Sequence, residues 1–243
     1  MTVKRMRIFA GPNGSGKTTI INNLKNQIPF GIYLNADDIE KYINGNNKIN
    51  FSDYGLSLTT KQVHSFFSKS TLSPLKHNNI NYWQNFTVAN NILIIHPSVS
   101  IDSYLAADIA EFIRQSLLSE NISFSYETVM SHPTKLDFIK KAKEKGYRVY
   151  LYYIATEDPD INISRVNVRV AQLGHNVQPE VIRNRYFKSL SNLKQAVKLT
   201  NRAYIFDNSG KASVLIAEIT DGVDVQVFDP EKAPNWFIKY LSE

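Results

Sequence analysis

The sequence predicts a three-layer α/β fold: a parallel sheet with helices on both faces, an inserted subdomain and a C-terminal hairpin. Three observations lead there. Short apolar runs alternate with amphipathic helical segments at the N-terminus and again after residue 104, the pattern of repeated βα units. A Gly-rich loop, Gly11–Thr18, joins the first apolar run to the first helical one. Between residues 42 and 104 the character changes, with many asparagines and aromatics and little charge.

The elements follow in chain order. Residues 6–10 read as a short buried strand, and a helix starting at Gly16 or Lys17 runs to about Asn26. A second strand covers about Gly31–Asn35 and ends at Asp37-Asp38. Inside 42–104, Thr59–Lys69 reads as a helix and Asn91–His96 as a strand. Ile109, Phe112, Ile113 and Leu117 recur at helical spacing. Ser123–Thr128 is the next strand, and Pro133 fits the first turn of a helix that Gly146 caps. Arg148–Ala155 is a strand. Ile163, Val166, Val170 and Leu173 mark a helix stopped by Gly174, and Ile182, Tyr186, Leu190, Leu193 and Val197 mark another. Ala203–Phe206 is a strand, followed by a hairpin, Ser213–Thr220 and Val223–Phe228, turned at Asp221-Gly222.

Composition narrows the function. The 243 residues hold no cysteine, which excludes disulfides, thiol catalysis and thiolate metal sites. The five histidines lack any paired metal-ligand spacing. A net charge of +6 suits an anionic partner, nucleotide or nucleic acid, or is simply a solvated surface. No apolar run reaches the length that spans a bilayer. Met1 runs almost directly into the first strand, leaving no room for a cleavable signal, so the expected location is the cytoplasm.

Gly11-Pro12-Asn13-Gly14-Ser15-Gly16-Lys17-Thr18 matches G-x-x-x-x-G-K-[ST], the P-loop that binds ATP or GTP. Its position between a strand and a helix is the context that motif requires. Glycines let backbone N–H groups wrap the phosphates without an obstructing Cβ. The helix start adds a positive dipole end at Thr18 and Thr19. Lys17 reaches the β- and γ-phosphates, and the Thr18 hydroxyl serves Mg²⁺. Phosphoryl transfer also needs a carboxylate to accept the acceptor's proton. Asp37 and Glu127 both stand at carboxyl ends of expected strands, where ligands bind in open parallel sheets. For either one alone, a solvated turn carboxylate is the equal alternative.

A spaced set of motifs resembles the zeta toxin family of P-loop kinases. The matching pieces are GPNGSGKTT (11–19), NADDI (35–39), ETVMS (127–131), GYRVYLYYIA (146–155), SRVNVRV (164–170), GHNVQPEVIRNRY (174–186) and FDNS (206–209). The resemblance implies a five-stranded parallel sheet and ATP-dependent phosphorylation of a small molecule. It implies Asp37 as the base and Glu127 with Thr128 as acceptor contacts. In family members that act as toxins the acceptor is a UDP-activated amino sugar such as UDP-N-acetylglucosamine, and an antitoxin protein is then a partner.

Arg165 and Arg169 share a helix face, as the lid arginines of P-loop kinases do across the β/γ-phosphates. Asn208 follows the last parallel strand, where relatives of this fold meet the adenine ring. Two features depart from the family pattern: Gly174-His175 stands where zeta toxins proper carry a further lid arginine, and 42–104 is additional. That insertion leaves the sheet just after Asp37. Its aromatics, among them Tyr54, Phe66, Phe67, Tyr82, Trp83, Phe86 and Tyr104, either stack on an acceptor or form the core of a cap. Its few Lys and Arg residues argue against a nucleic-acid substrate.

Overall fold

A computed structural model describes residues 3–70, 81–172 and 177–242. Leu173, Gly174 and His175, invoked above, lie outside them. In chain order the elements are β1 (Arg5–Ala10), α1 (Lys17–Leu24), β2 (Ile32–Leu34), α2 (Ala36–Asn46), β3 (Lys48–Asn50), α3 (Thr60–Phe67), β4 (Phe86–Ala89), β5 (Ile92–Ile95) and α4 (Ser103–Ser119). They continue with β6 (Phe124–Thr128), α5 (Thr134–Glu144), β7 (Arg148–Ala155), α6 (Pro159–Ala171), α7 (Pro179–Leu199), β8 (Arg202–Asp207), β9 (Val214–Thr220) and β10 (Asp224–Val227). The chain divides into two compact units, one of residues 1–31 with 124–243 and one of residues 32–123.

The first unit is built on strands in the order β10-β9-β8-β7-β1-β6. β1 runs parallel to β6 on one side and to β7 on the other, and β8 runs parallel to β7. β9 and β10 add antiparallel strands at the β8 edge, which is the expected hairpin. Its turn holds Asp221 and Gly222 at φ 49° and 73°, the left-handed pair that a tight hairpin demands.

Strand periodicity sorts the side chains. Met6, Ile8, Val149, Leu151, Tyr153, Ala203 and Ile205 are fully buried and form one layer of core. On the opposite face Phe9, Tyr152 and Tyr204 stand in register, their rings stacked at 4.8 and 5.0 Å between centroids. Phe30 extends that stack at 5.0 Å from Phe9.

Burial pushes the Tyr147 and Tyr152 hydroxyls up from 10.0 to about 12. It raises Tyr153 and Tyr186 as well. The neutral phenol is therefore favoured by folding. This contribution is complete below about pH 10, the unfolded value, and is lost as pH rises through about 12. Thermal midpoints measured across that window should fall with pH, and Tyr152→Phe should make the decline shallower.

The second unit has its own antiparallel sheet, β3-β5-β4. Its aromatics pack on one another. Phe67 lies 5.0 Å from Phe86, 5.8 Å from Phe112 and 6.4 Å from Tyr82, and Phe51 lies 5.9 Å from Phe112. Of the two roles open to these rings, Phe51, Phe67, Tyr82 and Phe86 serve as core, each at most 2% exposed. Thr59 and Gln62 close a capping box that starts α3. The segment 42–104 lies inside this unit.

Two local readings are corrected. Asp37 and Asp38 do not end a strand; they form the first turn of α2. The Asn35 side chain caps that helix by accepting from the Asp37 N–H at 2.9 Å, and acids in a first turn suit the helix dipole. In α6 the buried positions are Pro159, Asn162 and Val166, whereas Ile163 and Val170 are only half-buried. The helix starts earlier than its apolar period suggests, because Asp158 caps it and Pro159 opens it.

Candidate nucleotide site

The loop between β1 and α1 carries three glycines at positive φ: Gly11 at 145°, Gly14 at 74° and Gly16 at 91°. Each is also packed where a Cβ has no room. A Cβ on Gly11 would stand 2.0 Å from the Ile154 carbonyl oxygen of β7. On Gly14 it would stand 2.5 Å from the Asn162 carbonyl oxygen of α6, and on Gly16 it would stand 2.1 Å from the Asn208 amide nitrogen. Three separate elements thus press on the loop at its three glycines. Gly11→Ala should cost roughly 2–4 kcal/mol, since it meets backbone and a left-handed φ together. A melting temperature lower by several degrees checks this.

Lys17 opens α1 and turns back over the loop, donating to the carbonyls of Gly11 at 2.9 Å and Pro12 at 3.0 Å. Its ammonium therefore stands at the mouth of the loop. Thr18 and Thr19 are exposed in the first turn of α1, and Ser15 is buried beneath. The loop is tied to the sheet where the Gly11 N–H donates to the Thr128 carbonyl at 3.2 Å. Thr128 pairs in register with Ala10, and Glu127 with Phe9. Both are half-buried at the carboxyl end of β6. The chain after them is fixed by α7, where Ser189 donates to the Val129 carbonyl and Asn192 to the Met130 carbonyl.

Arg165, in the middle of α6, donates to the carbonyls of Asn208 at 2.7 Å and Gly210 at 3.3 Å. With Gly16, Thr19, Asn23, Asn208 and Lys211 it lines a cleft of about 480 Å³. Asn208 uses its side-chain amide on the Ser15 carbonyl at 2.8 Å. Arg169 is exposed in the last turn of α6, and Arg183 of α7 is paired with Asp160. Asp37 is exposed and belongs to the second unit. The first unit thus gathers Gly11–Thr19, Glu127, Thr128, Arg165 and Asn208.

Sequence reasoning missed Asn162. It is fully buried, and its amide donates to the Asn13 carbonyl at 2.7 Å. The apolar period Ile163–Val166–Val170 concealed it; Asn162 and Asn167 each stand one step out of that stripe, and nothing local tells the buried one from the exposed one.

Among the described residues no group of three or more His, Asp or Glu side chains could hold a metal ion. A magnesium ion that arrives with nucleotide phosphates asks less of the protein, usually one or two oxygens. The Thr18 hydroxyl at the start of α1 fits that demand. No helix among the described residues is long and apolar enough to cross a membrane.

A profile of the zeta toxin family matches residues 102–220, the stretch that carries β6 to β9, Glu127, Arg165 and Asn208. An uncharacterized protein of Haemophilus influenzae is 32% identical over 69 residues, which are 28% of this chain and 49% of that protein. Among solved structures, the AvrRxo1-ORF1:AvrRxo1-ORF2 complex with sulphate ions superposes with a TM-score of 0.56 at 14% identity, covering 94% of this chain and 62% of that one. The same complex with ATP gives 0.54 at 15% identity, with the same coverage. At these identities the likeness is one of fold: a largely parallel central sheet with flanking helices. The chain spans about half the length of its curated relative and under two thirds of the matched structures. The match to the zeta toxin family spans residues 102–220, just under half of the chain.

Proposed function

We propose that this protein is an ATP-dependent phosphotransferase acting on a small molecule, with a UDP-activated amino sugar as the acceptor class. The observation that carries the reading is the β1–α1 loop: three glycines held at positive φ by three neighbouring elements, with the Lys17 ammonium at its mouth. That shape suits a chain of phosphates and little else. Two further points support it: the match of residues 102–220 to the zeta toxin family and the ATP bound in the AvrRxo1-ORF1:-ORF2 complex.

In this reading residues 11–19 hold the triphosphate and Lys17 neutralises the β- and γ-phosphates. Magnesium, held by Thr18 and the phosphates, supplies further charge neutralisation when bound. Glu127 and Thr128 hold the acceptor, and the Asp37 carboxylate takes the proton of its hydroxyl. The acceptor oxygen bonds to the γ-phosphorus as the bond to the β–γ bridging oxygen breaks, and ADP leaves. Arg165, seconded by Arg169, meets the charge that develops, and Asn208 fixes the loop beside the nucleotide. Segment 42–104 acts as a cap that selects the acceptor. GTP is an alternative donor. The protein works in the cytoplasm, where a partner protein restrains it, as the ORF2 chain accompanies AvrRxo1-ORF1.

The test is ADP release from ATP and magnesium with UDP-N-acetylglucosamine, with a 5′-hydroxyl oligonucleotide, or with neither. Release stimulated by the nucleotide sugar is the expected result. Stimulation by the oligonucleotide alone would make this a polynucleotide end kinase, which the charge of +6 also suits. Tight ATP binding with no release under any condition would make it a nucleotide-dependent binding protein.

A further inference from the structure

Beyond the Lys17 contacts, the loop is held in shape from outside the motif. Among the described residues, Asn13 Oδ1 and Ser15 Oγ are buried without a hydrogen-bond partner. Lys17 aside, the loop's side chains therefore do little to fix it, and two borrowed amides act on its backbone as well. Asn162 donates to the Asn13 carbonyl at 2.7 Å, and Asn208 donates to the Ser15 carbonyl at 2.8 Å. A trans peptide opposes its C=O and N–H, so drawing these carbonyls outward turns the Gly14 and Gly16 N–H groups the other way, as anion binding requires.

Asn162 is itself oriented. Its Oδ1 contacts the Thr156 hydroxyl, and both residues are fully buried. The Asn13 carbonyl can only accept, so the Asn162 amide must present its NH₂ there and its oxygen to Thr156. Thr156 is anchored in turn: its carbonyl accepts from the Tyr186 hydroxyl of α7 at 2.6 Å. A buried relay thus runs from α7 through Thr156 and Asn162 to the P-loop. One turn along α6 from Asn162 stands Arg165, which grips the Asn208 carbonyl. The ties close on themselves, from Asn13 through α6 and Arg165 to Asn208 and back to Ser15.

We infer that Asn162, oriented by Thr156, is a positioning residue for phosphate binding, acting through the Asn13 carbonyl. The inference rests on the phosphotransferase reading. Inorganic tripolyphosphate is the probe, because it engages the loop without a base or sugar. Binding is measured by calorimetry well below each variant's melting temperature. Asn162→Asp sets an oxygen against the Asn13 carbonyl and should weaken binding by about tenfold or more. Thr156→Val should weaken it severalfold, and Thr156→Ser, which keeps the hydroxyl, should restore the wild-type value.

A merely structural role would lower the melting temperatures and leave the affinity of the folded protein unchanged. Folded Asn162→Asp and Thr156→Val proteins that bind tripolyphosphate within twofold of wild type would overturn the inference. If Asn162→Asp does not fold, the Thr156 pair decides. Lys17→Ala separates the two levels of the argument. If it binds tripolyphosphate as tightly as wild type, the phosphotransferase reading fails; if it loses binding while the Thr156 and Asn162 variants keep it, only the relay fails.

Discussion

Lys17→Ala is expected to remove measurable ATP binding and all phosphoryl transfer. Lys17 is the cation at the mouth of the loop, and its ammonium already spans the Gly11 and Pro12 carbonyls at 2.9 and 3.0 Å. A phosphate bound there exchanges those neutral acceptors for anionic ones, which adds ion-pair attraction to the hydrogen bonds. Losing them should cost roughly 3 kcal/mol, about a hundredfold in affinity, before any effect on the transfer step. Arginine should not rescue, because its longer planar fork cannot take the place of a compact ammonium. Calorimetry with ATP checks the result. Unchanged affinity in Lys17→Ala would sink the assignment of the loop.

Asp37→Asn should leave ATP binding intact and slow phosphoryl transfer by about a hundredfold or more, the usual effect of a lost general base. The structure makes this a clean substitution. Asn35, not Asp37, caps α2, and Asp37 gives that cap only its backbone N–H. The change therefore keeps the helix start and loses at most the few tenths of a kcal/mol that a first-turn acid contributes. Asp38, also exposed in the first turn, is the control. Near-full activity in Asp37→Asn with loss in Asp38→Asn would move the base by one residue.

The strands of the first unit and the hairpin were legible in the sequence because their signals are local, whereas β3 and β4 of the second unit were not read. Arg148–Ala155 is a continuous apolar and aromatic run, and its observed bounds coincide with those read from it. The Asp221-Gly222 turn announced the hairpin. α2 was not legible as a helix start, because NADDI reads equally as a strand end followed by a turn, and only the Asn35 cap decides. The division at residues 32 and 123 was not legible either, since composition changes at residue 42 while α2 and α4 pack together. At the site, the glycines and Lys17 were visible as a motif. What fixes them was not: Ile154, Asn162 and Asn208 lie 143 or more residues away in sequence from the glycines they touch, and no local pattern marks such contacts.

The split of the first unit into residues 1–31 and 124–243 bears on how the chain matures during synthesis. β1 leaves the ribosome well before the strands that flank it, β6 and β7, which begin at residues 124 and 148. At the elongation rate of about 5–20 residues per second, β1 waits several seconds for a neighbour. The unit of residues 32–123 is contiguous and can condense in that interval. The nascent nucleotide loop waits longer still, because Asn208, which packs on Gly16, follows β6 and β7 in the chain. Phosphate-binding competence therefore waits until β8 and Asn208 have been made, and a chain truncated before β8 should be inert even with its entire motif present.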